Sequence, residues 1–516
     1  MTDHDPTGNL ADLVRLAAAR AGDHTALVFR EHELSWRQVD DRVDRVAAGL
    51  RGLGLRRGDR VGLQLGNTPE FPVGYFGALR AGLVAVPLNP GYTRDELAHA
   101  LGDSGARALV TTAGGAATGL RLAADLDALE HVVVADVDEA PAGAVAFDQL
   151  LAGDRLLAGD QPQQAEPGTG SEDLAVVLYT SGTSGRPRGA MLSHRALLAN
   201  LEQGSRIEPP VMSPDDVVLL VLPLFHVYGL NAALGAVAYQ GCTGVLAERF
   251  EPVETLELLR RRRVTNLPGA PTMYVAWSLL PDVGDAFSSV RLALSGSAPL
   301  PAATLRRVLD VTGHHVFEGY GLTETAPVLT STLMSQVAKP DSIGRPVPGV
   351  ELVLRDEDGL PPEEGDPGEV VVRGANLFSG YWPDGADGPD ADGWWATGDI
   401  ALLDADGDLH LVDRRRELVL VSGFNVYPRE VEAVLSAHPD IEEAAVIGTA
   451  HPYTGEAVKG LVVLRPGARL SADDVIAHAA RSLARFKCPT AVEFVPALPH
   501  SATGKVSKGR LREQSG

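Results

Sequence analysis

The sequence predicts an α/β protein: a large N-terminal domain of layered α/β subdomains plus a small β-rich subdomain, followed by a small α+β C-terminal domain. Three observations predict it. The chain has 516 residues, more than one core usually organises. Its first 135 residues alternate strand and helix patterns, which favours parallel strands with helices on both faces of a sheet. Over residues 342–412, short alternating strands separated by Gly, Pro and Asp turns replace that pattern.

The N-terminal elements follow from the spacing of apolar residues. LSWRQVDDRVDRVAAGLRGLGL has helical spacing and ends in glycine, whereas DRVGLQLGN is a short apolar strand. FPVGYFGALRAG predicts a helix, VAVPLNP a strand, and RDELAHALGDSGARALVTT a helix followed by a strand. Residues 138–173 are rich in Ala, Gly, Pro, Asp and Gln and are interpreted as a connector. LAVVLYT then predicts a strand, and the alternation continues to about residue 340.

Residues 217–247 carry no formal charge, and this stretch is long enough to cross a membrane. Pro223, His226, Asn231, Gln240 and several glycines interrupt it, and acidic residues flank it on both sides. We interpret it as a buried strand followed by a buried helix, so no integral membrane segment is predicted.

The residues beyond Arg416 form a compact block. PREVEAVLSAH predicts a helix, EEAAVIG and GLVVLRPG predict strands, SADDVIAHAARSLARF predicts a helix capped by Ser471, and AVEFVPALP predicts a last strand. Such a block of about one hundred residues could fold alone. We therefore predict an N-terminal domain over residues 1–413 and a C-terminal domain over residues 414–516.

Composition narrows the class of function. Lys and Arg number 45 against 68 for Asp and Glu, and the net charge of −23 repels nucleic acids and anionic lipids. Cys242 and Cys488, the only cysteines, support neither a disulfide scaffold nor a thiolate metal site. The N-terminal MTDHDPTGNLADLV carries acids where a secretory signal needs basic residues. We predict a soluble cytoplasmic enzyme and leave open whether it forms a homodimer.

The segment YTSGTSGRPRGAMLSH (179–194) has the composition of a phosphate cradle. Its glycines let the backbone curl round an anion, its hydroxyls can donate hydrogen bonds, and Arg188 adds a permanent positive charge. It follows a predicted strand and precedes a predicted helix. It lacks the GK[ST] of a P-loop, which disfavours a kinase or GTPase of that type. A hydroxyl-rich surface turn is the alternative.

Two further motifs offer groups suited to a nucleotide. In EGYGLTET (318–325), Tyr320 can stack on a purine, Thr323 can donate to a phosphate, and Glu324 can hold Mg²⁺, which prefers oxygen ligands. A tight turn with a capping glutamate is the alternative. In WWATGD (394–399), the Asp399 carboxylate offers two acceptors that match the paired hydroxyls of ribose, although TGD is also a common turn.

Lysine is rare in this chain and occurs only at positions 339, 459, 487, 505 and 508. A lysine in a Thr-Gly-Lys loop therefore indicates a need for a compact, mobile ammonium at Lys505. Lys508 is interpreted as a solvated lysine of the tail.

These motifs together resemble those of the adenylate-forming superfamily, which includes acyl-CoA synthetases, firefly luciferase and peptide-synthetase adenylation domains. The hinge signature VSGFNVYP is most similar to that of bacterial fatty-acid CoA ligases. The matching blocks occur in the family's order: YTSGTSGRPRG, LPLFHVYG (222–229), SGSAPL (295–300), EGYGLTET, WWATGD, VDRRRELVLVSGFNVYPREVE (412–432) and SATGK (501–505).

The resemblance implies roles for individual residues. Those implied in catalysis are Lys505, Thr323, Glu324, Arg188 and His226. Those implied in binding ATP and coenzyme A are Thr180, Ser181, Gly182, Thr183, Ser184, Gly185, Ser297, Ala298, Glu318, Gly319, Tyr320, Gly321, Asp399, Arg414, Arg416, Gly423, Phe424 and Asn425. Glu324 and Thr183 would hold Mg²⁺, and Arg416 would be the hinge of a mobile C-terminal lid that carries Lys505. For His226, a satisfied core histidine is the alternative.

The resemblance also implies the reaction. The expected enzyme is an AMP-forming acid–thiol ligase that uses ATP, Mg²⁺ and coenzyme A to convert a carboxylic acid into its acyl-CoA through an acyl-adenylate. We expect a medium- or long-chain fatty acid. The alternatives are an aryl or other acid, acyl transfer to a carrier protein, and a nucleotide-sensing pseudoenzyme. The small residues after His226 could leave room for an alkyl chain or could serve close helix packing; they are Gly229, Ala232, Ala233, Gly235 and Ala236.

The chain departs from the family's pattern in three places. Arg188 stands where the family usually has lysine, and Ser184 where it has threonine; both changes keep the charge or the hydroxyl, so we expect activity. Residues 418–421 are apolar where some relatives carry a second lysine.

The run Arg260–Arg263 is interpreted as a solvated helix end, with contact to coenzyme A phosphates as the alternative.

Overall fold

The computed structural model describes residues 8–152, 169–180, 187–414, 417–421, 424–451, 455–500 and 506–515. The chain forms two compact units whose segments alternate between residues 340 and 394. Unit 1 comprises Met1–Pro340, Gly344–Glu351 and Arg373–Gly393; unit 2 comprises Asp341–Ile343, Leu352–Val372 and Trp394–Gly516. The predicted α/β class is confirmed. The predicted boundary between residues 413 and 414 stays a prediction.

The first elements alternate as the apolar spacing predicts. In chain order they are α1 (Asp12–Ala21), β1 (Thr25–Phe29), β2 (His32–Ser35), α2 (Trp36–Gly52), β3 (Arg60–Gln64), α3 (Glu70–Arg80), β4 (Val84–Pro87), α4 (Arg94–Ser104), β5 (Ala106–Thr111), α5 (Ala113–Asp125), β6 (His131–Val134), β7 (Val145–Ala146) and α6 (Phe147–Leu151). The connector predicted over residues 138–173 is wrong in part, because β7 and α6 lie within it. Phe147 and Leu150 are buried, and this burial holds the short helix in place.

The next elements carry most of the motifs. They are β8 (Leu174–Thr180), β9 (Arg188–Ser193), α7 (His194–Ser205), β10 (Val217–Leu220), a π-helix (Tyr228–Gly235), α8 (Ala236–Gln240), β11 (Thr243–Leu246), α9 (Pro252–Arg262), β12 (Asn266–Gly269), α10 (Pro271–Ser278), α11 (Val283–Ala286), β13 (Leu292–Ser295), α12 (Ala302–Thr312), β14 (Val316–Gly321), a 3₁₀-helix (Thr323–Thr325), β15 (Val328–Ser331), a 3₁₀-helix (Thr332–Ser335) and β16 (Arg345–Pro346).

The charge-free stretch of residues 217–247 holds a strand and helices, as predicted, and also a second strand, β11. β10 and β11 pair in parallel within one sheet of unit 1. Among the described residues, no helix combines the length and the apolar character that a membrane crossing requires.

The described strands up to β16 form two sheets. One has the order β7-β6-β5-β3-β4-β8-β9, and its neighbouring strands are parallel except for the antiparallel pair β8 and β9. The other has the order β16-β15-β14-β13-β12-β10-β11-β1-β2 and is parallel from β1 through β14. The predicted parallel sheets are therefore present. Ligands of such sheets bind beyond the carboxyl ends of the strands, and YTSGT, SGSAPL and EGYGLTET lie at the carboxyl ends of β8, β13 and β14.

The remaining elements are β17 (Val350–Arg355), β18 (Gly368–Gly374), β19 (Trp394–Leu403), β20 (Leu409–Arg414), β21 (Val419–Val421), β22 (Phe424–Val426), α13 (Pro428–Ser436), β23 (Ile441–His451), β24 (Gly455–Leu464), α14 (Ala472–Ala479), a 3₁₀-helix (Arg485–Lys487), β25 (Ala491–Phe494) and α15 (Lys508–Ser515). In the described residues, β17 to β20 form one sheet, and β21 to β25 form another. The side chain of Ser471 caps α14 as predicted, but that helix ends at Ala479, before the predicted end.

Candidate active site

The predicted phosphate segment lies between two antiparallel strands. β8 ends at Thr180 and β9 begins at Arg188, and these two residues are cross-strand partners. α7 begins only at His194. The prediction that a helix follows the segment directly is therefore wrong, because RGAMLS first pairs with β8 as the edge strand of its sheet.

Several predicted ligands cannot be placed. Those outside the described residues are Ser181, Gly182, Thr183, Ser184, Gly185, Arg416, Gly423 and Lys505. The side chains of Arg414, Phe424 and Asn425 also lie outside the description. Their roles stay predictions.

The Arg188 side chain is held between a carboxylate and an aromatic ring. Its Nη2 atom lies 2.8 Å from Oδ2 of Asp387. Its Cζ atom lies 3.8 Å from the centroid of the Tyr381 ring, a distance typical of a cation–π contact. About one third of the Arg188 side chain stays exposed. Neither Tyr381 nor Asp387 was predicted from the sequence.

Glu324 lies in a buried turn at the end of β14. Its backbone carbonyl accepts a hydrogen bond from Phe378 N at 2.9 Å, and its Oε1 atom accepts one from the Tyr381 hydroxyl at 2.6 Å. Thr323, the preceding residue, is partly buried and begins the 3₁₀-helix. The turn needs glycine at position 321, because a Cβ atom there would lie 1.7 Å from the carbonyl oxygen of Pro327.

Three buried asparagine side chains hold this turn through hydrogen bonds to its backbone. Asn376 Nδ2 donates to Thr325 O at 2.8 Å, and Asn231 Nδ2 donates to Ala326 O at 2.7 Å. Asn200 donates to Val328 O and accepts from Val328 N. Sequence reasoning missed these three residues. For two of them the sequence offers a signal, since a single asparagine lies within an apolar helical run. Asn200 lies in HRALLANL and Asn231 in YGLNAALG.

The residues predicted to bind adenine lie at the ends of two neighbouring parallel strands, β13 and β14. Ser295 at the end of β13 is the register partner of Glu318 in β14, and the two strands are parallel. Oε2 of the buried Glu318 accepts a hydrogen bond from Leu300 N at 2.9 Å, which ties SGSAPL to EGYG. Ser297 has a φ of 74° and, like Ala298, is partly buried. Tyr320, with its neighbours Gly319 and Gly321, lies in the part of β14 that pairs with β15.

His226 lies just before the π-helix. Its Nδ1 atom accepts a hydrogen bond from Tyr228 N at 3.4 Å, so a neutral ring carries its proton on Nε2. Tyr228 packs against the SGSAPL segment, since a Cβ atom on Gly296 would lie 2.9 Å from the Tyr228 ring. His226 thus lies two residues before a side chain that packs against the predicted adenine segment of unit 1. It is partly buried, and its role stays a prediction.

The small residues after His226 serve close packing at two positions. A Cβ atom on Gly229 would lie 2.3 Å from Pro223 O, and one on Gly235 would lie 2.7 Å from Oδ1 of Asn231. These two glycines therefore allow close approach of neighbouring atoms, which is the second of the two interpretations left open above.

Two predicted nucleotide ligands occupy paired backbone positions in unit 2. Asp399 in β19 is the cross-strand partner of Arg414 in β20. Asp399 is buried, and its backbone N–H donates to Thr397 Oγ1 at 3.1 Å. Near them, the buried Asp413 accepts a hydrogen bond from Arg429 N and so fixes the start of α13 to β20.

The interpretation of Lys508 as a solvated tail lysine is wrong. Its Nζ atom lies 3.0 Å from Oε2 of Glu417 and 2.8 Å from Oε1 of Glu432, and its side chain is 11% exposed. Burial lowers the pKa of Lys508, but the charges of Glu432 and Glu417 outweigh this and raise the pKa above its usual value. The Lys508 ammonium therefore neutralises the charges of two partly buried carboxylates, those of Glu417 and Glu432.

The arginine run at the end of α9 forms ion pairs within unit 1. Arg260 pairs with Asp285, Arg261 with Glu31, and Arg262 with Glu33. These pairs give the run a structural role and do not favour the coenzyme A alternative.

The donor set around Glu324 suits Mg²⁺. The carboxylate of Glu324 is buried, and its Oε1 atom accepts a hydrogen bond from the Tyr381 hydroxyl. A carboxylate oriented in this way by a hydrogen-bond donor matches the oxygen ligation that Mg²⁺ prefers, with phosphates and water as its other ligands.

Comparison with known proteins covers nearly the whole chain. Residues 14–382 match the model of the family described as AMP-binding enzyme, and residues 430–505 match that of the AMP-binding enzyme C-terminal domain.

Individual relatives also align with nearly the whole chain. A long-chain-fatty-acid–CoA ligase of Yersinia pestis is 36% identical over 99% of this chain and 95% of the relative. A feruloyl-CoA synthase of Amycolatopsis sp is 37% identical over 96% of this chain and 97% of the relative. The crystal structure of ATP-bound MatB from Rhodopseudomonas palustris superposes with a TM-score of 0.87 at 34% identity, and covers 98% of this chain and 99% of that one.

Proposed function

The chain belongs to the AMP-binding enzyme family, and we propose that within this family it activates a medium- or long-chain fatty acid. It is an acid–thiol ligase that joins a carboxylic acid to coenzyme A with the use of ATP. The observation that carries the choice of fatty acid is the likeness, over almost the full length, to ligases of long-chain fatty acids. We also propose a cytoplasmic location, and we leave open whether the protein forms a homodimer.

The chemistry needs two steps because a carboxylate resists nucleophiles. In the first step, a carboxylate oxygen attacks the α-phosphorus of ATP, and the bond to pyrophosphate breaks, which leaves an acyl-adenylate. In the second step, the thiol of coenzyme A attacks the acyl carbon and loses its proton, and AMP leaves. The products are acyl-CoA, AMP and pyrophosphate.

The residues of unit 1 would bind and orient the nucleotide. Arg188 and Thr323 would offset charge on the phosphates, Tyr320 would stack on adenine, and Thr180 would line the phosphate segment. His226 would lie between the acid and the nucleotide. Mg²⁺, held by Glu324 and Thr183, would supply positive charge to the phosphate oxygens.

The residues of unit 2 would serve the two steps in turn. Asp399 would bind the ribose, and Lys505 would stabilise the charge that develops during adenylate formation. A pivot about Arg416 would then withdraw Lys505 and bring Gly423–Asn425 to line the path of the coenzyme A thiol. This alternation stays a proposal that rests on the family's pattern.

A pyrophosphate-release assay over a panel of acids tests the proposed substrate. We expect kcat/KM for saturated fatty acids of eight or more carbons to exceed that for benzoate and hydroxycinnamates. Product analysis with and without coenzyme A identifies the acceptor, since an enzyme that uses a carrier protein would accumulate the adenylate. A higher kcat/KM for aromatic acids would favour the second candidate, which the likeness to the feruloyl-CoA synthase supports.

The Lys505→Ala variant tests the division into two steps. We expect pyrophosphate release to fall by about 100-fold or more, because the variant lacks the ammonium that stabilises the transition state. Thioester formation from supplied acyl-adenylate should persist. Lys459→Ala is the matched control, since it removes a lysine of unit 2 that pairs with Glu493. Equal loss of both steps in the Lys505 variant would contradict the proposal.

A further inference from the structure

We propose that Tyr381 is a positioning residue that fixes the carboxylate of Glu324 and the guanidinium of Arg188 for the binding of MgATP. The inference rests on the proposed function, because it is that function which gives Glu324 and Arg188 their roles toward the nucleotide. It concerns a residue outside all the motifs considered above, in the sequence NLFSGYWPDG.

The backbone of residues 379–382 is attached to the edge of a sheet. Ser379 N donates to Met191 O at 2.9 Å, Met191 N donates to Gly380 O at 3.1 Å, and Trp382 N donates to Gly189 O at 2.8 Å. The segment thus extends the sheet beyond its edge strand β9, which begins at Arg188. Tyr381 is therefore held at a fixed place relative to β9 and to Arg188 at its start.

A tight turn locks this segment further. Gly380 has a φ of 92°, and a Cβ atom on it would lie 2.0 Å from Gly385 O, so only glycine fits. Tyr381 N donates to Ala386 O, and Gly385 N donates to Tyr381 O. The backbone N–H and carbonyl of Tyr381 are thereby both bonded within the turn, which fixes the point from which its side chain extends.

The hydroxyl of Tyr381 holds one oxygen of Glu324. The donor–acceptor distance is 2.6 Å, which is short and typical of a charge-assisted hydrogen bond. The Phe378 ring packs edge-on against the Tyr381 ring at a centroid distance of 5.1 Å, and Phe378 N donates to the carbonyl of Glu324.

The ring of Tyr381 also separates two opposite charges. The Arg188 guanidinium lies over the ring at 3.8 Å from its centroid, while Glu324 accepts from the hydroxyl at the ring's edge. In the described residues the ion pair of Arg188 is with Asp387, and none joins it to Glu324. A direct pair would occupy both groups before MgATP arrives. A planar guanidinium can stack on a ring in this way, which an ammonium does less well.

The Tyr381→Phe variant tests the role of the hydroxyl alone, because it keeps the ring beneath Arg188. The measurement is the affinity for ATP as a function of Mg²⁺ concentration, by calorimetry without an acid, so that no turnover occurs. We expect the half-saturating Mg²⁺ concentration to rise about five-fold, because Glu324 loses a charge-assisted hydrogen bond that holds it in place. At saturating Mg²⁺ the ATP affinity should approach that of the unmodified protein.

Tyr274→Phe is the matched control. It also removes a buried hydroxyl with two protein acceptors, Leu267 O and Leu294 O, but in the core of unit 1. Its Mg²⁺ dependence should be unchanged. Tyr381→Leu, which removes the ring as well, should weaken ATP binding even at saturating Mg²⁺. An unchanged Mg²⁺ dependence in Tyr381→Phe would overturn the inference.

A double-variant comparison keeps the test decisive if one variant folds poorly. In a Glu324→Gln background, Tyr381→Phe should add little to the loss of Mg²⁺-dependent ATP binding, because the hydroxyl acts through the carboxylate. Full additivity would overturn the inference. Failure of the proposed function looks different: the unmodified protein would then release no pyrophosphate with any acid, whatever happens at Tyr381.

Discussion

The position of the Arg188 side chain depends on its neighbours in the fold as well as on the motif that contains it. The motif supplies a positive charge, whereas Tyr381 and Asp387 decide where that charge lies. The family's usual lysine would keep the charge but would lose the planar contact with the ring.

We expect Arg188→Lys to keep pyrophosphate release within about ten-fold of the unmodified protein. Arg188→Met should lower kcat/KM for ATP by about 100-fold, because only this variant loses the positive charge that offsets the charge of the phosphates. Steady-state kinetics at a fixed concentration of acid measure both. Arg260→Met is the control, since Arg260 is similarly exposed and also pairs with an aspartate. An Arg188→Met variant as active as Arg260→Met would refute the role of this charge.

His194 makes stability depend on pH. It is fully buried, its Nδ1 atom accepts from Leu10 N at 3.0 Å, and burial lowers its pKa to about 4. Because the folded pKa lies below the unfolded value, the unfolded chain takes up the proton first as the pH falls. The contribution of His194 to the stability of unit 1 is therefore fully present above about pH 6.5 and is lost progressively between that value and about pH 4.

From pH 7 to pH 5 we expect this group to lower the free energy of unfolding by about 2 kcal/mol. Urea unfolding of the unmodified protein and of His194→Gln, each at both pH values, measures the difference between their pH dependences. His24→Gln, at an exposed position, is the control. Identical pH dependences in the unmodified protein and His194→Gln would disprove the expectation.

At the scale of elements, the turn that carries Glu324 depends on side chains from other elements. Asn231 lies in the π-helix and donates both to Leu197 O in α7 and to Ala326 O in the turn. A π-helix is an uncommon element that often accompanies functional sites. Its amide here links a helix to the turn that presents the candidate magnesium ligand.

We expect Asn231→Leu to lower the stability of unit 1 by about 2–4 kcal/mol, because it removes the amide that donates to two buried carbonyls, and to weaken MgATP binding as well. Thermal unfolding and calorimetry measure the two effects. Asn266→Leu is the matched control: it removes another buried asparagine that donates to a carbonyl, Val211 O, away from the turn. It should lower stability alone. Equal effects of both variants on MgATP binding would contradict the role of Asn231.

At the scale of the whole molecule, the C-terminal residues contain their own cores. One cluster of buried side chains includes Val419, Val446 and Val475, and a second includes Ile447, Leu461 and Leu511. All buried members of the two clusters lie between residues 419 and 511, on the two sides of the sheet that β23 and β24 share. The predicted domain over residues 414–516 contains both clusters, and its boundary stays a prediction.

We expect a fragment of residues 414–516 to fold by itself, because its apolar side chains bury one another within it. Circular dichroism with a cooperative thermal transition measures this. The same fragment with Val446→Asp, which places a charge at a fully buried position, should not fold. A fragment that stays unfolded would show that strands β17 to β20 are needed and would move the domain boundary toward the N-terminus.

The sequence alone determined the α/β class, the alternation of the first elements and the family, because apolar spacing and short motifs are local properties that the order of residues records. It also identified Glu324, Arg188 and Asp399 as candidate ligands. Only the tertiary structure decided that the phosphate segment joins two antiparallel strands, that Lys508 is buried between two glutamates, and that Tyr381 links Arg188 to Glu324. Such contacts join residues far apart in the chain, and the path of the backbone between them determines whether they meet.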